Sequence, residues 1–565
     1  MLLKLFKSLR SGRAASLHDQ AIQSWLRNDL AAAEGLFRRA LDANPRLASA
    51  WSNLGQVLWE QRRFQESLTC LRHAVELDPT NAAALVNLAV ALVNGSRIAE
   101  AVEHYRKAIR LEPSRPQIRA NIIKPLRDLC EWEEAETQAA ALVDLWQRDA
   151  RVAASIPPFL SLVAAFTPEF RLAIARAQAQ AVAAKVASLP RPTRAPSAPG
   201  TRLRIGYVSA DLHQHAVARA GVRLFELHDR ERFEVFAYSF DVDDGSALRR
   251  RLEAAFDRFV DVRGEPFHAT AQRIAHDRID LLVDLMGYTG SSRPELFALR
   301  PAPVQVLFLG YAGTTGGDHM DYVIADPIVA PPGDERWYSE RILRLPVTYL
   351  PADDRRPLPR TTLRRSELGL PESAFAFCSF GAHYKIERHV FAAWMRILRR
   401  VPQSVLWLSS GAGEPRLRRA AAEAGVDPAR LFFMKRLPEE EDYLGRLRLA
   451  DLFLDTHTYN AHSTAADALW AGLPVLTVPA AGFAGRVGAS LLGAVGLPEL
   501  VAADLADYEE RAVGLASQPE RLGRLRAVLE GDRARLPLFD SARFTRDLED
   551  AYDTAWLEAG GSEHG

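Results

Sequence analysis

The chain has 565 residues, enough for about three domains. It is 48% hydrophobic and 25% charged, an ordinary globular composition, and its 71 basic side chains balance 71 acidic ones, which argues against a primary nucleic-acid binder. Cys70, Cys130 and Cys378 are too scattered for a disulfide or metal framework, which fits a reducing cytoplasm, and no apolar run is long enough to span a bilayer.

Residues 1–16 carry Lys4, Lys7, Arg10 and Arg13 but lack the apolar core of a signal peptide, so they are expected as a frayed helix or tail. From Leu17 the chain repeats. Pro45, Pro79 and Pro113 lie 34 residues apart, and so do Ala40, Ala74 and Ala108, and Phe37, Leu71 and Tyr105. This period of small residues, aromatics and a terminal proline resembles the tetratricopeptide repeat, a helical hairpin whose small residues admit close helix contact. Asn53, Asn87 and Asn121 keep the same spacing on the first helix of successive units. First helices line the concave face of such a solenoid, so three amides would form a ladder able to hold an extended backbone; a tolerated polar position is the plain alternative. Residues 150–188 read as further alanine-rich helix, so 17–188 is expected to form one helical domain. The proline-rich stretch 189–201 reads as a linker.

Beyond it strands alternate with helices. Leu203 to Ser209, Phe233 to Phe240, Ile279 to Leu285, Val304 to Leu309 and Tyr322 to Ala325 are predicted strands of a first Rossmann-like domain, 202–365. Phe375 to Phe380, Val405 to Ser409, Leu431 to Met434, Leu452 to Asp455 and Val475 to Val478 are those of a second, 366–540. Helices are expected at His389 to Arg400, Arg416 to Ala424 and Ser541 to Glu558, the last opening the segment 541–565. Two successive series of this kind suggest an α-helical solenoid followed by two α/β domains facing across a cleft.

The stretch from Leu454 to Val475 is dense in chemistry. An apolar strand runs into a polar turn, and a helix is predicted from near Thr464 to Gly472. His462, Ser463 and Thr464 gather hydroxyls and free N–H groups at the helix start, where a phosphate binds well; Ser and Thr are also ordinary N-caps. Asp467, a turn further on, is suited to accept two ribose hydroxyls. Lys385 follows the first strand of the second domain and is suited to offset charge on a departing diphosphate, unless it is a solvated loop lysine. His215 follows the first strand of the first domain, as a base or as a polar contact. A metal site of His213, His215 and His228 has poor spacing. Asp241-Val242-Asp243 imitates the motif of metal-dependent sugar transferases but reads as a turn. The glycine-rich loop with Gly310, Gly313 and Thr314 would let backbone approach a ligand.

Together Leu203-Arg-Ile-Gly-Tyr-Val-Ser-Ala-Asp211, Glu295-Leu-Phe-Ala-Leu-Arg-Pro-Ala-Pro303, Leu309-Gly-Tyr-Ala-Gly313, Arg400-Val-Pro-Gln-Ser-Val-Leu-Trp-Leu408 and the turn above resemble the O-linked N-acetylglucosamine transferase and SPINDLY-like family, tetratricopeptide repeats fused to a two-lobed GT-B transferase. The resemblance implies a UDP-GlcNAc donor, polypeptide Ser/Thr acceptors, inversion at the anomeric carbon, no metal, and neither nucleic-acid nor membrane partners. It implies that His215, Lys385 and Asp277 act in catalysis. It places Ala382, Arg436, Leu437, Tyr443, Arg446, Gly310, Gly313 and Thr314 beside the donor with His462, Ser463, Thr464 and Asp467, and the asparagine ladder on the acceptor. The chain departs from the family at Ala382, at Ala480-Ala481-Gly482 and at the acidic run Glu439 to Asp442, near the donor's base and sugar. A GDP-fucose donor and a non-catalytic scaffold are the alternatives.

Overall fold

The computed structural model describes residues 2–27, 29–194, 201–358, 363–434, 437 and 440–561. The chain forms two compact units, Met1–Arg148 and Asp149–Gly565.

The first unit is a row of helices: Leu2–Leu26, Leu30–Ala43, Ala48–Glu60, Phe64–Leu77, Ala82–Asn94, Ile98–Leu111, Pro116–Asp128 and Trp132–Arg148. The opening helix runs straight through the boundary expected at residue 16. The 34-residue period is a packing period. Ala33, Phe37, Ala40, Leu71, Ala74, Ala101, Tyr105 and Ala108 are all buried, the larger ones contributing roughly 1.5–3 kcal/mol each. A Cβ at Gly55 would sit 2.6 Å from Leu71 Cγ, and Ser67 Oγ donates to the Gly55 carbonyl at 2.7 Å. The helices before Pro45, Pro79 and Pro113 end two residues earlier, as proline requires. One feature of the period escapes the sequence. Arg62, Ser96 and Cys130, each in the turn inside a hairpin, have φ of 62°, 59° and 57°. These left-handed positions normally favour glycine.

The second unit holds two parallel sheets. The strands are β1 (Leu203–Ser209), β2 (Phe233–Ser239), β3 (Arg258–Asp261), β4 (Leu281–Asp284), β5 (Val304–Leu307), β6 (Tyr322–Ala325) and β7 (Arg341–Arg344), then β8 (Phe375–Ser379), β9 (Ser404–Ser409), β10 (Leu431–Met434), β11 (Leu452–Leu454) and β12 (Val475–Leu476). The first sheet has the order β3-β2-β1-β4-β5-β6-β7 and the second β10-β9-β8-β11-β12. Each order reverses once, between β1 and β4 and between β8 and β11. Open α/β sheets bind ligands at the carboxyl ends of strands flanking such a reversal. The expected strands are all present, within a residue or two at most ends. β3 and β7 have no counterpart among them: both are four-residue edge strands with charged ends.

Residues 150–188 do not extend the solenoid. Their helices, Pro158–Val163 and Pro168–Val186, belong to the second unit. Leu162 packs with Tyr288, Leu307 and Tyr311, and Val186 joins the core around Val208 and Phe236. Apolar partners in the α/β sheet decide this, and the helical pattern alone cannot show them. The last helix, Ser541–Glu558, returns to the first lobe. Glu549 accepts from His228 Nδ1 and from the Asp229 N–H, each at 2.9 Å, and Tyr552 meets Tyr207 at 3.2 Å.

Candidate functional site

The turn after β11 is built on buried polar groups. Asp455, fully buried, accepts from the N–H groups of Thr456 (2.8 Å) and Ala461 (2.7 Å) and from Thr477 Oγ1 (2.7 Å). Burial raises its carboxyl to about 6. Asn460 donates from its amide to the Thr456 carbonyl at 2.5 Å and accepts from the Gly488 N–H at 3.2 Å. The turn is thus fixed before any ligand arrives. It delivers the chain into the helix Ser463–Trp470. The N–H groups of Ala465 and Ala466 bond back to the His462 carbonyl; those of Ser463 and Thr464 are the ones that helix geometry leaves open. Gly472, at φ 81°, ends the helix as expected.

Lys385 lies in the short turn His383–Lys385 after β8, directly across the reversal. Its Nζ donates to the Asn460 carbonyl at 2.9 Å and sits 4.0 Å from the centre of the Tyr459 ring. His462 stacks on the same ring, 4.8 Å between centres and tilted by 17°, and its Nε2 lies 3.0 Å from the Ala484 carbonyl. Burial lowers Lys385 to about 8, with Asp455 opposing the shift. Burial and the Lys385 charge lower His462 to about 3, so this imidazole is neutral. His383, buried beneath, pins the loop: its Nε2 meets the Ser409 carbonyl at 2.7 Å and its Nδ1 accepts from the Gly413 N–H. One cation, one neutral imidazole and open helix N–H groups therefore converge on one spot, an arrangement suited to a diphosphate.

Asp467 is one turn along. Tyr443 Oη donates to it at 3.1 Å, and Arg356 donates from Nη1 at 2.6 Å while also bonding Glu440. Arg446 is buried, its guanidinium 5.2 Å from the Phe380 ring and 5.5 Å from that of Tyr443. Ala382 is exposed at the lip of the Lys385 turn and Leu437 is half-buried; Arg436 lies outside the described residues.

His215 caps the helix Ala216–Leu227 after β1, accepting from the Val217 N–H at 3.4 Å, with Asp211 at 3.5 Å. Ala216, Arg219 and Ala220 of that helix line one cavity with Ser463, Asp467 and Arg356. The two lobes therefore present helix N-termini to each other across the cleft.

Other expected residues fall elsewhere. Asp277 precedes β4, at the amino edge of the sheet, where Tyr238 Oη donates to it at 2.8 Å and Arg204 to its carbonyl. His215 follows the carboxyl end of β1, so the two are separated by about 20 Å of strand. Thr314 donates to Glu340 at 2.6 Å, and Glu340 also takes the Thr315 N–H, so this hydroxyl is committed to the fold. A Cβ at Gly310 would lie 2.0 Å from the Leu285 carbonyl oxygen, and one at Gly313 would crowd Tyr311 and Leu162. Gly310 thus allows loop packing, while Gly313 and Thr314 also line a cavity with Arg171, Gly482 and Arg486. His228 is buried on Glu549, away from His213 and His215, so the three form no metal site. Asp241 and Asp243 accept from neighbouring backbone N–H groups in a tight turn. Asn53 Nδ2 contacts His18 Nε2 and Asn87 donates to Ser52, both at 3.1 Å; Asn121 is half-buried on Pro116–Asp128. Sequence reasoning misses Asp455, Asn460, Tyr459 and Arg356. Polar residues inside an apolar strand-turn stretch are the available signal for the first two.

Residues 129–365 and 357–548 match glycosyl transferase family 41, and residues 19–80 and 54–116 match the tetratricopeptide repeat. The chain is 35% identical over 453 residues to a probable UDP-N-acetylglucosamine--peptide N-acetylglucosaminyltransferase, SEC, of Arabidopsis thaliana, covering 77% of this chain and 46% of that protein. It is 28% identical over 551 residues to the UDP-N-acetylglucosamine--peptide N-acetylglucosaminyltransferase of Caenorhabditis elegans, covering 76% and 48%. The chain thus spans about half the length of the curated relatives it matches. The solved structure of a lysine-to-methionine mutant of Thermobaculum terrenum O-GlcNAc transferase superposes with a TM-score of 0.69 at 30% identity, covering 97% of this chain and 98% of that one.

Proposed function

We infer that this chain, which belongs to glycosyl transferase family 41, transfers N-acetylglucosamine from UDP-GlcNAc to Ser or Thr hydroxyls of polypeptides. The observation that carries the reading is the convergence of Lys385, His462 and the open N–H groups of Ser463 and Thr464 where the second sheet reverses. In the reaction the acceptor hydroxyl oxygen bonds to the anomeric carbon as the bond from that carbon to the diphosphate oxygen breaks, with inversion, and the hydroxyl proton leaves to the departing diphosphate or to solvent. The developing phosphate charge falls on the Lys385 ammonium and the helix N-terminus, groups already held in place and so requiring little reorganisation. Neutral His462, its Nε2–H held by the Ala484 carbonyl, stacks on Tyr459 and shapes the phosphate turn, and Asp467 exchanges Arg356 for the ribose hydroxyls. His215, on the facing lobe, orients the acceptor and sugar. The asparagine ladder holds the acceptor chain, and the site of action is the cytoplasm.

The departures at Ala382 and Glu440 fall beside the donor's base and sugar, which keeps GDP-fucose as a second reading. The test is turnover of UDP-GlcNAc and of GDP-fucose by the purified chain with a Ser/Thr peptide library. Expected are UDP release and a mass gain of one N-acetylhexosamine per modified peptide. Transfer of fucose alone would replace the donor assignment. Nucleotide binding without transfer of either sugar would favour a scaffold.

A further inference from the structure

Beside the donor turn, three metal-binding side chains converge that the transfer reaction does not use. Glu387 and His389 stand at the start of the helix Arg388–Arg400, and His457 lies in the turn after β11. Their ligand atoms all lie within 4.8 Å of one another. His389 Nε2 is 3.1 Å from His457 Nδ1 and 3.9 Å from Glu387 Oε2, with the two rings nearly perpendicular at 88°. A tetrahedral ion with bonds of about 2.0–2.1 Å sets its ligand atoms about 3.3–3.4 Å apart. The two separations from His389 bracket that value, and the remaining pair, Glu387 and His457, within 4.8 Å, would have to draw together to reach it.

The surroundings orient the donors as a metal site requires. The Glu387 carboxylate is held by Thr458, which donates from its N–H at 2.8 Å and from Oγ1 at 2.5 Å. The His457 ring also has the Pro479 carbonyl as a partner. With Nδ1 turned to His389, Nε2 is the atom left to donate to that carbonyl, and Nδ1 keeps its lone pair. A metal-binding histidine is typically fixed in this way by a backbone carbonyl on its other nitrogen. His389 is exposed, so water completes the coordination from the open side.

We propose that Glu387, His389 and His457 form a binding site for a divalent first-row transition metal ion of the zinc class. Two imidazoles and one carboxylate are a donor set that zinc takes readily. The ion is not a participant in sugar transfer. It ties the segment that carries Lys385, two residues before Glu387, to the turn that carries His462, five residues after His457. The alternative occupant of the 3.1 Å gap is a proton, in a plain imidazole–imidazole hydrogen bond.

The experiment is titration of the full-length, tag-free, chelator-treated protein with zinc chloride, read by calorimetry and by thermal melting. No nucleotide sugar is present, so the outcome is independent of the donor assignment. Expected is one saturable site whose occupancy raises Tm. His457→Ala should abolish it, His389→Ala should weaken it at least tenfold, and His213→Ala should leave it unchanged. Cobalt in the same site should give the intense visible absorption of a four-coordinate ion, lost in His457→Ala. Zinc binding equal in wild type and both site variants, or no saturable binding in wild type, overturns the proposal and leaves the hydrogen bond. Circular dichroism of each variant without metal separates loss of the site from loss of the fold.

Discussion

Burial beside the Tyr459 ring brings the Lys385 ammonium down to about 8, so this side chain titrates within the range of an ordinary assay. The proposed reaction needs it charged. Below the folded pKa the ammonium is present; as pH rises through about 8 it is lost, and kcat/KM should fall with it. A bound diphosphate favours the charged form, so the corresponding fall in kcat should lie at higher pH. Rate profiles at subsaturating and saturating donor check this, and a flat kcat/KM from neutral pH to well above 8 would contradict it. Lys385→Ala should lower kcat by roughly 10²–10³, the usual cost of removing one group from a preorganised anion site, with a smaller change in KM. Single-turnover transfer measures this, and an unchanged rate removes the lysine from the mechanism. Lys385, His462 and Asp467 are legible in the sequence because each stands at a fixed offset from a strand or helix end. Arg356 is not: it reaches Asp467 across 111 residues, and no local pattern encodes such a pairing. Asp277 shows the converse, since a family resemblance can carry a residue that lies at the amino edge of the sheet.

At the scale of elements, buried parallel strands such as β1 and β8 announce themselves as continuous apolar runs. β3 and β7 do not, because an edge strand with arginine at its end reads as loop. The helical repeat is legible through its small and aromatic positions, while its left-handed turns are hidden under Arg62, Ser96 and Cys130. These positions carry a testable cost. Ser96 is exposed, so Ser96→Gly removes the conformational penalty without disturbing packing. It should stabilise the repeat unit by about 1 kcal/mol, as read by urea melts. An unchanged or lowered midpoint would show that the turn is not strained. The first helices permit a second prediction. Replacing Asn53, Asn87 and Asn121 together by Ala should raise KM for a polypeptide acceptor several-fold while leaving hydrolysis of the donor unchanged. Equal KM values would remove the ladder from acceptor binding.

On the scale of the whole molecule, the second unit is closed by a chain that crosses twice. It leaves the first lobe after β7, builds the second lobe, and comes back as the helix Ser541–Glu558. The return is held by a buried cluster: Glu549 accepts from His228 and Asp229, and Arg232 lies 3.6 Å away. Glu549→Ala leaves the His228 ring and the Asp229 N–H without that acceptor. It should cost about 2–3 kcal/mol, larger than a surface substitution, and lower the midpoint of denaturant unfolding. No change in midpoint would show that the helix is not coupled to the lobe it covers.

That return also sets the timing of folding during synthesis. The seven strands of the first sheet leave the ribosome early, but the helix that covers Tyr207 and His228 is translated only after the entire second lobe. At about 5–20 residues per second, the delay is on the order of tens of seconds. Throughout it Tyr207 and His228 lack the Tyr552 and Glu549 side chains that partner them. The lobe that is made first is therefore among the last to be finished.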